Sequence, residues 1–322
     1  MNVMPLSPDS QAMLLLCSNM AIPKTMAHEY HVFDLTEWNE LAKKIASTLL
    51  KRPGALLASE PGDWQRELGW DSKQSDRVLK LLSRRLNLAM ELKRFENMGI
   101  WVITRSEAVY PVRYKKLLRE KAPIILYGSG DISMIRNDSV AFAGSRDAND
   151  EAIDFTRDLA RGCARAGITV ISGGARGVDT AAEEAAIMEG GRVISVLSCD
   201  LAKAVRKGLR RQTLLDHRLL LLSPYHPQAW FSVGAAMGRN KYIYTLSKFA
   251  VVISAVEGRG GTWAGAMENL KHRWVPLIVR NGDHIPSGNL ALIKSGAMGV
   301  DASILDNMSE FLNNVRNMDS NF

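Results

Sequence analysis

Thr169-Val-Ile-Ser-Gly-Gly-Ala-Arg-Gly-Val-Asp179 is the stretch whose reading decides the fold. Ile168, Val170 and Ile171, with β-branched Thr169 among them, have the density of a short buried strand. Ser172-Gly-Gly-Ala-Arg-Gly177 stops the run, and Thr180-Ala-Ala-Glu-Glu-Ala-Ala-Ile-Met188 follows as an alanine-rich helical pattern. Strand, glycine loop and helix make a geometry in which free N–H groups at a helix N-terminus meet an anion. Arg176 adds a fixed positive charge inside the loop. A tight turn with no ligand accounts for the same glycines, and the flanking sequence has to separate the two.

Outward from this loop, β/α alternation continues in both directions. Apolar strand segments are Val140–Ala143, Ile168–Ile171, Val193–Leu197, Leu219–Leu222, Phe249–Ser254 and Val275–Val279. Helical patterns lie between most of them, including Asp150–Ala166, Asp179–Met188 and Trp263–Leu270. Continuous apolar strands separated by helices imply a parallel sheet covered on both faces. Right-handed crossovers then predict an α/β fold, an extended Rossmann-like, doubly wound, mainly parallel sheet. Ahead of it, Ile100–Thr104 and Ala122–Tyr127 read as strands, with Tyr110-Pro111 opening a short basic helix.

Residues 1–98 carry helical patterns only. Trp38, Leu41, Ile45 and Leu49 share one face of Glu37–Leu50; Val78, Leu81, Leu82, Leu86, Ala89 and Phe95 recur at helical spacing over Asp76–Phe95. Arg84, Arg85, Lys93 and Arg94 fall off that stripe and are expected on a solvated face. The organisation that follows is a small all-helical N-terminal domain at 1–98, a sheet domain at 99–300, and a C-terminal helix and tail at 301–322.

The chain has 322 residues, 46% apolar and 23% charged, and a formal charge of +7. This is globular composition with a lean toward anionic partners. Three cysteines in no CxxC pair argue for a reducing compartment and against a disulfide framework. No apolar run reaches membrane-spanning length. Met13-Leu-Leu-Leu-Cys17, without a basic leader, reads as a plain helix, so a cytoplasmic protein with no membrane contact is expected.

Ligands of a doubly wound sheet bind beyond the carboxyl ends of its strands. The residues found there are Gly144-Ser145-Arg146, then Ser172-Gly173-Gly174-Ala175-Arg176-Gly177, then Gly258-Arg259-Gly260-Gly261-Thr262. Gly238-Arg239-Asn240-Lys241 precedes the strand at Phe249. Phosphate oxygens call for backbone donors and guanidinium forks, and no acidic cluster matches this convergence of glycine with arginine. G-x-G-x-x-G, G-x-x-x-x-G-K-[ST] and G-x-S-x-G are absent, and His28-Glu-Tyr-His31 lacks the i, i+4 spacing of a zinc helix. No metal, cofactor or catalytic residue is expected. Glu183, Glu184 and Glu257 stand near the loops as general acids or bases, as solvated residues, or as orienters of the loops.

In this order the motifs resemble the DprA/Smf family of bacterial DNA-processing proteins. Gly99-Ile-Trp-Val-Ile-Thr104, Ala122-Pro-Ile-Ile-Leu-Tyr-Gly128, Ala141-Phe-Ala-Gly-Ser-Arg146, Ile171–Asp179, Gly238-Arg-Asn-Lys241 and Ser287–Ala297 carry the likeness over residues 99–300. The resemblance implies a basic groove for single-stranded DNA. Arg146, Arg176, Arg239 and Lys241 would sit on phosphates, beside Asn240 and the backbone of Gly144, Ser145, Ser172, Gly173, Gly174, Gly177, Gly260, Gly261 and Thr262. It also implies a homodimer and handover of the strand to a RecA-type recombinase. Phe231 and Trp263 are the aromatic residues for base stacking, with core packing as the alternative.

The sequence departs from that pattern at Glu183, where the family has histidine, in the basic run Lys203–Arg211, and at Phe231-Ser232, displaced from the family's Phe-Pro. A C-terminal winged-helix domain of the kind many members carry is not expected, and a divergent member serving a mobile element or defence system is. The rival reading is a LOG-like nucleotide sensor or hydrolase. Gly260-Gly-Thr262 is similar to that loop, but Gly265 stands where its catalytic glutamate belongs and Glu268 comes a turn later. Without that acid/base about 10²–10⁴-fold of rate would be missing, which places binding ahead of catalysis.

Overall fold

The run Ala12–Leu16 is almost wholly inaccessible to solvent, so the most apolar stretch of the N-terminal region is a core helix. It belongs to a computed structural model of the chain that describes residues 6–206 and 208–319. Two compact units divide after Tyr127.

The first unit contains α1 (Pro8–Cys17), α2 (Leu35–Ser47), α3 (Pro61–Leu68), α4 (Ser72–Leu82) and α5 (Arg85–Asn97). The strands β1 (Trp101–Thr104) and β2 (Ile125–Ser129) follow and pair with each other, a π-helical turn at Tyr114–Leu118 lying between them. The strand segment at 101–104 therefore lies in the same compact unit as the helices. Asp34 and Asp71 close capping boxes at the starts of α2 and α4, accepting from Glu37 N at 2.9 Å and Gln74 N at 2.7 Å.

Several expectations for this unit fail. Arg84 is not on a solvated face but buried, at 4% exposure. It sits where the predicted single helix over 76–95 breaks into α4 and α5. Its guanidinium donates to the carbonyls of Leu15, Ser18 and Met20, the last at 2.8 Å. Leu15 lies in the last turn of α1, where carbonyls have no helical partner and need donors, and Ser18 and Met20 lie just beyond it. Burial holds the Arg84 pKa down near 10. Arg85, Lys93 and Arg94 are exposed, as expected. Leu86 and Ala89, expected on the apolar stripe, are exposed as well, because the stripe does not continue across the break between α4 and α5. Leu49 lies beyond the end of α2 and is exposed.

The second unit alternates strand and helix: β3 (Ser139–Ala143), α6 (Asp150–Arg165), β4 (Thr169–Ser172), α7 (Val178–Met188) and β5 (Val193–Val196). After the short α8 (Leu201–Ala204) and α9 (Gly208–Leu215) come β6 (Leu219–Ser223), α10 (Val233–Leu246), β7 (Phe249–Val252), α11 (Gly260–His272) and β8 (Leu277–Arg280). The unit ends with α12 (Ser287–Lys294), β9 (Met298–Val300) and α13 (Met308–Asp319). The 301–322 stretch thus begins with a separate 3₁₀ turn at Ala302–Leu305.

Strands β3 to β9 form a parallel array in the order β6-β5-β4-β3-β7-β8-β9. Val140 on β3 registers with Val170 of β4 on one side and Phe249 of β7 on the other. The winding direction reverses there, which makes the β3/β7 crevice the switch point where such sheets bind ligands. Every strand residue of β4, β5, β6, β7 and β8 is buried, as a sheet covered on both faces requires. Among the described residues no helix is long and apolar enough to cross a membrane.

Candidate functional site

Glycine lets three strand-end loops of the second unit interlock. A Cβ on Gly144 would overlap Val178, so the absent side chain admits the first turn of α7 against the end of β3. Val178 N–H donates to Ser145 O at 3.3 Å. Gly177 has φ +84°, and a Cβ there would also press on the carbonyl of Arg146, 2.8 Å away. Thr262 Oγ1 donates to Gly144 O at 2.9 Å, and Asn240 Nδ2 donates to Gly261 O at 2.8 Å. The loops after β3, β4 and β7 are thus tied into one surface.

Beneath it lies a buried polar layer. Asp179, in the first turn of α7, accepts from Gly173 N–H at 3.2 Å and Ala175 N–H at 3.4 Å. The loop therefore satisfies two of its own donors with a carboxylate, and burial raises that carboxyl's pKa against the pull of Arg239. Arg239 is only 5% exposed. Its Nη1 donates to Gly173 O at 2.7 Å and to Val196 O, and burial lowers its pKa while Asp179 and Glu183 support the charge. Ser172 is a strand link, its hydroxyl donating to Phe142 O at 3.0 Å.

Glu183, one helical turn beyond Asp179, is 4% exposed. Ser195 Oγ donates to its Oε1 at 2.7 Å, and Arg210 Nη2 lies 3.5 Å from its Oε2. Burial pushes the Glu183 pKa up to about 7, with Arg210 and Ser195 opposing the rise. Of the roles open to Glu183, the geometry is that of a buried residue holding its neighbours.

Two cavities open above this layer. One, of about 530 Å³, lies over the β3/β7 crevice and is bounded by Arg146, Phe231, Arg239, Asn240, Arg259 and Gly260–Thr262. The other, of about 540 Å³, lies over the ends of β4 and β5 and is bounded by Gly173–Arg176, Cys199, Asp200, Lys203 and Arg210. Arg146, Ala175, Phe231 and Arg239 line both, so the cavities adjoin as halves of one groove.

The named residues divide between rim and floor. Arg146 is exposed at the shared boundary, its Cζ 5.5 Å from the Phe231 ring centre. Arg176 is exposed and pairs with Asp147, which is equally open to solvent. Arg239 is a floor residue. Lys241 lines neither cavity; its Nζ lies 5.1 Å from the Tyr242 ring centre. Trp263 lines neither as well, whereas Phe231 borders both and is 52% exposed. Trp230 beside it is 83% exposed.

Sequence reasoning did not place Lys203 and Arg210 at the site. The basic run was visible, but its direction depends on how α8 and α9 return to the sheet. At Gly265 a Cβ would come within 3.0 Å of the Tyr244 ring and 3.2 Å of Asn240 Cβ, so a larger side chain there would require these neighbours to give by a few tenths of an ångström.

Comparison with known proteins agrees with this architecture. The family model for DNA recombination-mediator protein A matches residues 101–313, well over half of the chain. A curated relative, the DNA processing protein DprA of Streptococcus pneumoniae, is 28% identical over 229 residues, covering 70% of this chain and 77% of that protein. A crystal structure of DprA from that organism superposes with a TM-score of 0.65 at 20% identity, over 92% of this chain and 95% of that one. A structure of DNA processing protein A from Helicobacter pylori superposes with a TM-score of 0.55 at 24% identity, over 67% of this chain and 97% of that one. The interlocked glycine loops, the parallel order of the sheet and the matched span lead to one conclusion: the chain belongs to the DNA recombination-mediator protein A family, the DprA/Smf proteins.

Proposed function

We propose that this protein binds single-stranded DNA along the groove at the strand ends and acts by holding the strand rather than by catalysis. The observation that carries the reading is the shared boundary at Arg146 and Phe231 between the two cavities. A groove of two such halves exceeds one nucleotide and suits a continuous backbone. Its cations Arg146, Arg176, Lys203, Arg210 and Arg259 supply phosphate partners, and exposed Phe231 supplies a face on which a base can stack. The Helicobacter pylori protein was described for its single-stranded DNA binding mode, which accords with the reading.

On this proposal Arg146, Arg176 and the rim backbone of Ser145, Gly260 and Gly261 meet phosphates. Arg239, Gly173, Gly174 and Ser172 shape the floor on which they stand. The family resemblance extends the proposal to a cytoplasmic homodimer that hands the strand to a RecA-type recombinase.

A mobility-shift titration with single- and double-stranded oligonucleotides over a range of salt tests the binding. A preference for the single strand is expected, with affinity falling by a log–log slope of about −0.7 per phosphate contact. Equal binding of both forms, or no salt dependence, overturns the reading. Light scattering and a recombinase pull-down test the two further elements separately.

A further inference from the structure

The guanidinium of Arg210 stands between a buried carboxylate and an open cavity. Its Nη2 lies 3.5 Å from Glu183 Oε2. The same side chain borders the cavity over the ends of β4 and β5 and keeps 27% of its surface open. A Cβ on Gly174 would stand 3.4 Å from that Nη2, so the nitrogen lies beside the glycine loop. At 3.5 Å the contact with Glu183 is long for a charge-assisted hydrogen bond, which ordinarily spans about 2.7–2.9 Å, so Arg210 is lightly held. Glu183 and the run Lys203–Arg211 are both departures from the family pattern, and they meet in this one contact.

Glu183 itself is fixed from below, where Ser195 Oγ donates to Oε1 at 2.7 Å. The charged groups facing it are Arg210 of α9, Asp179 of α7 and Arg239 of α10. Asp179 and Arg239 support each other's charge within the floor. Arg210 is then the cation that meets Glu183 from the groove side.

A carboxylate this deeply buried is costly once its cation leaves, and it is neutralised by a proton instead. Burial already pushes the Glu183 pKa up to about 7, with Arg210 the foremost opposing influence. A phosphate in the adjoining cavity would draw Arg210 away and set a second negative charge near the carboxylate. Both changes favour the protonated acid.

We propose that Glu183 is a positioning residue for Arg210: its carboxylate holds the guanidinium in the free protein, a strand phosphate takes that guanidinium in the complex, and Glu183 gains a proton from solvent in exchange. The proposal rests on the strand-binding reading and adds to it a proton that binds together with the strand. Linkage fixes the sign. At acidic pH Glu183 is protonated with or without a strand, and affinity is constant. At higher pH binding must take up the proton, so affinity falls as pH rises.

The test uses the full chain, its Glu183→Gln and Arg210→Gln variants, and single-stranded oligothymidylate at constant ionic strength. Fluorescence anisotropy gives the affinity at about pH 6 and about pH 8. Calorimetry in two buffers of different ionisation enthalpy counts the protons exchanged. The parent should lose about fivefold to tenfold in affinity across that window and take up as much as one proton near its upper end. Glu183→Gln should bind at both pH values as tightly as the parent does at the lower one. Arg210→Gln should also lose the pH dependence, but bind more weakly, with the salt slope smaller in magnitude by about 0.7. Lysine and arginine side chains do not titrate in this window, and Glu183→Gln separates Glu183 from Asp200 and Cys199, which also border the cavity. The proton count on the parent needs no variant, so a misfolded Glu183→Gln would not spare the proposal. Salt-dependent strand binding without proton uptake, or with a pH dependence that persists in Glu183→Gln, overturns the proposal and leaves the groove standing. Absence of strand binding at every pH overturns both.

Discussion

The guanidinium of Arg239 occupies the space that a side chain on Gly173 would fill. A Cβ at Gly173 would collide with its Nη1, which donates to the carbonyl of that same glycine. The first half of the Gly173-Gly174 pair is therefore explained by an internal arginine, with no ligand needed. Gly173→Ala should displace Arg239 from its two carbonyls and destabilise the chain by about 1–3 kcal/mol, the usual cost of overpacking. Urea denaturation measures the loss, and unchanged stability would show that Arg239 relocates freely.

Arg146 stands on the rim and makes no ion pair among those found in the described residues, its guanidinium resting near Phe231. Arg146→Ala should leave stability within about 0.5 kcal/mol, as for an exposed site. On the proposed function it should weaken binding of all single strands alike and reduce the magnitude of the salt slope by about 0.7. A mobility-shift series at several salt concentrations gives both numbers.

Arg176 and Asp147 form an exposed pair that contributes little to folding, about 0–1 kcal/mol or less. Asp147 also places an anion beside a proposed phosphate site. Asp147→Asn should therefore tighten strand binding, whereas Arg176→Ala should loosen it, with the melting temperature nearly constant in both. Opposite movements of affinity would set Arg176 at the strand; identical movements would remove it.

Glu183 gives folding a pH dependence of defined sign. Below its ordinary value of 4.5 the carboxyl is protonated in folded and unfolded chains alike. Between there and about 7 only the folded chain keeps the proton, so stability falls as pH rises through this window. At about 1.4 kcal/mol per pKa unit the loss is on the order of 3 kcal/mol. The charged groups facing Glu183 are Arg210, Asp179 and Arg239, and Asp179, also raised by burial, adds to the fall. Glu183→Gln should flatten much of the slope when denaturation is compared at about pH 5 and about pH 8. Arg210→Gln, which removes the opposing cation, should carry the slope to higher pH.

The architecture of the second unit was legible because it rests on local pattern. Buried parallel strands must be apolar throughout, so the segments beginning near Val140, Ile168, Val193, Leu219 and Phe249 announced β3 to β7 within a few residues. The loops after β3, β4 and β7 were equally legible, since close approach of helix to strand demands glycine at Gly144 and Gly177. The edge strand β9 was not, because Met298 and Val300 are half-buried around an exposed Gly299 and carry no apolar run.

What tertiary structure alone decided is which partner each charged group found. Arg239 and Arg84 look in sequence like Arg146 and Arg85, yet the first two are buried and satisfied by carbonyls while the others reach solvent. Asp179 spends its charge on the loop N–H groups that the sequence offered to an external anion, and Arg210 arrives over Glu183 from 27 residues away. Sequence spacing fixes the face of a helix or strand on which a side chain emerges. The carbonyl, carboxylate or open water it then meets comes from distant segments, and for a guanidinium that encounter decides between floor and rim.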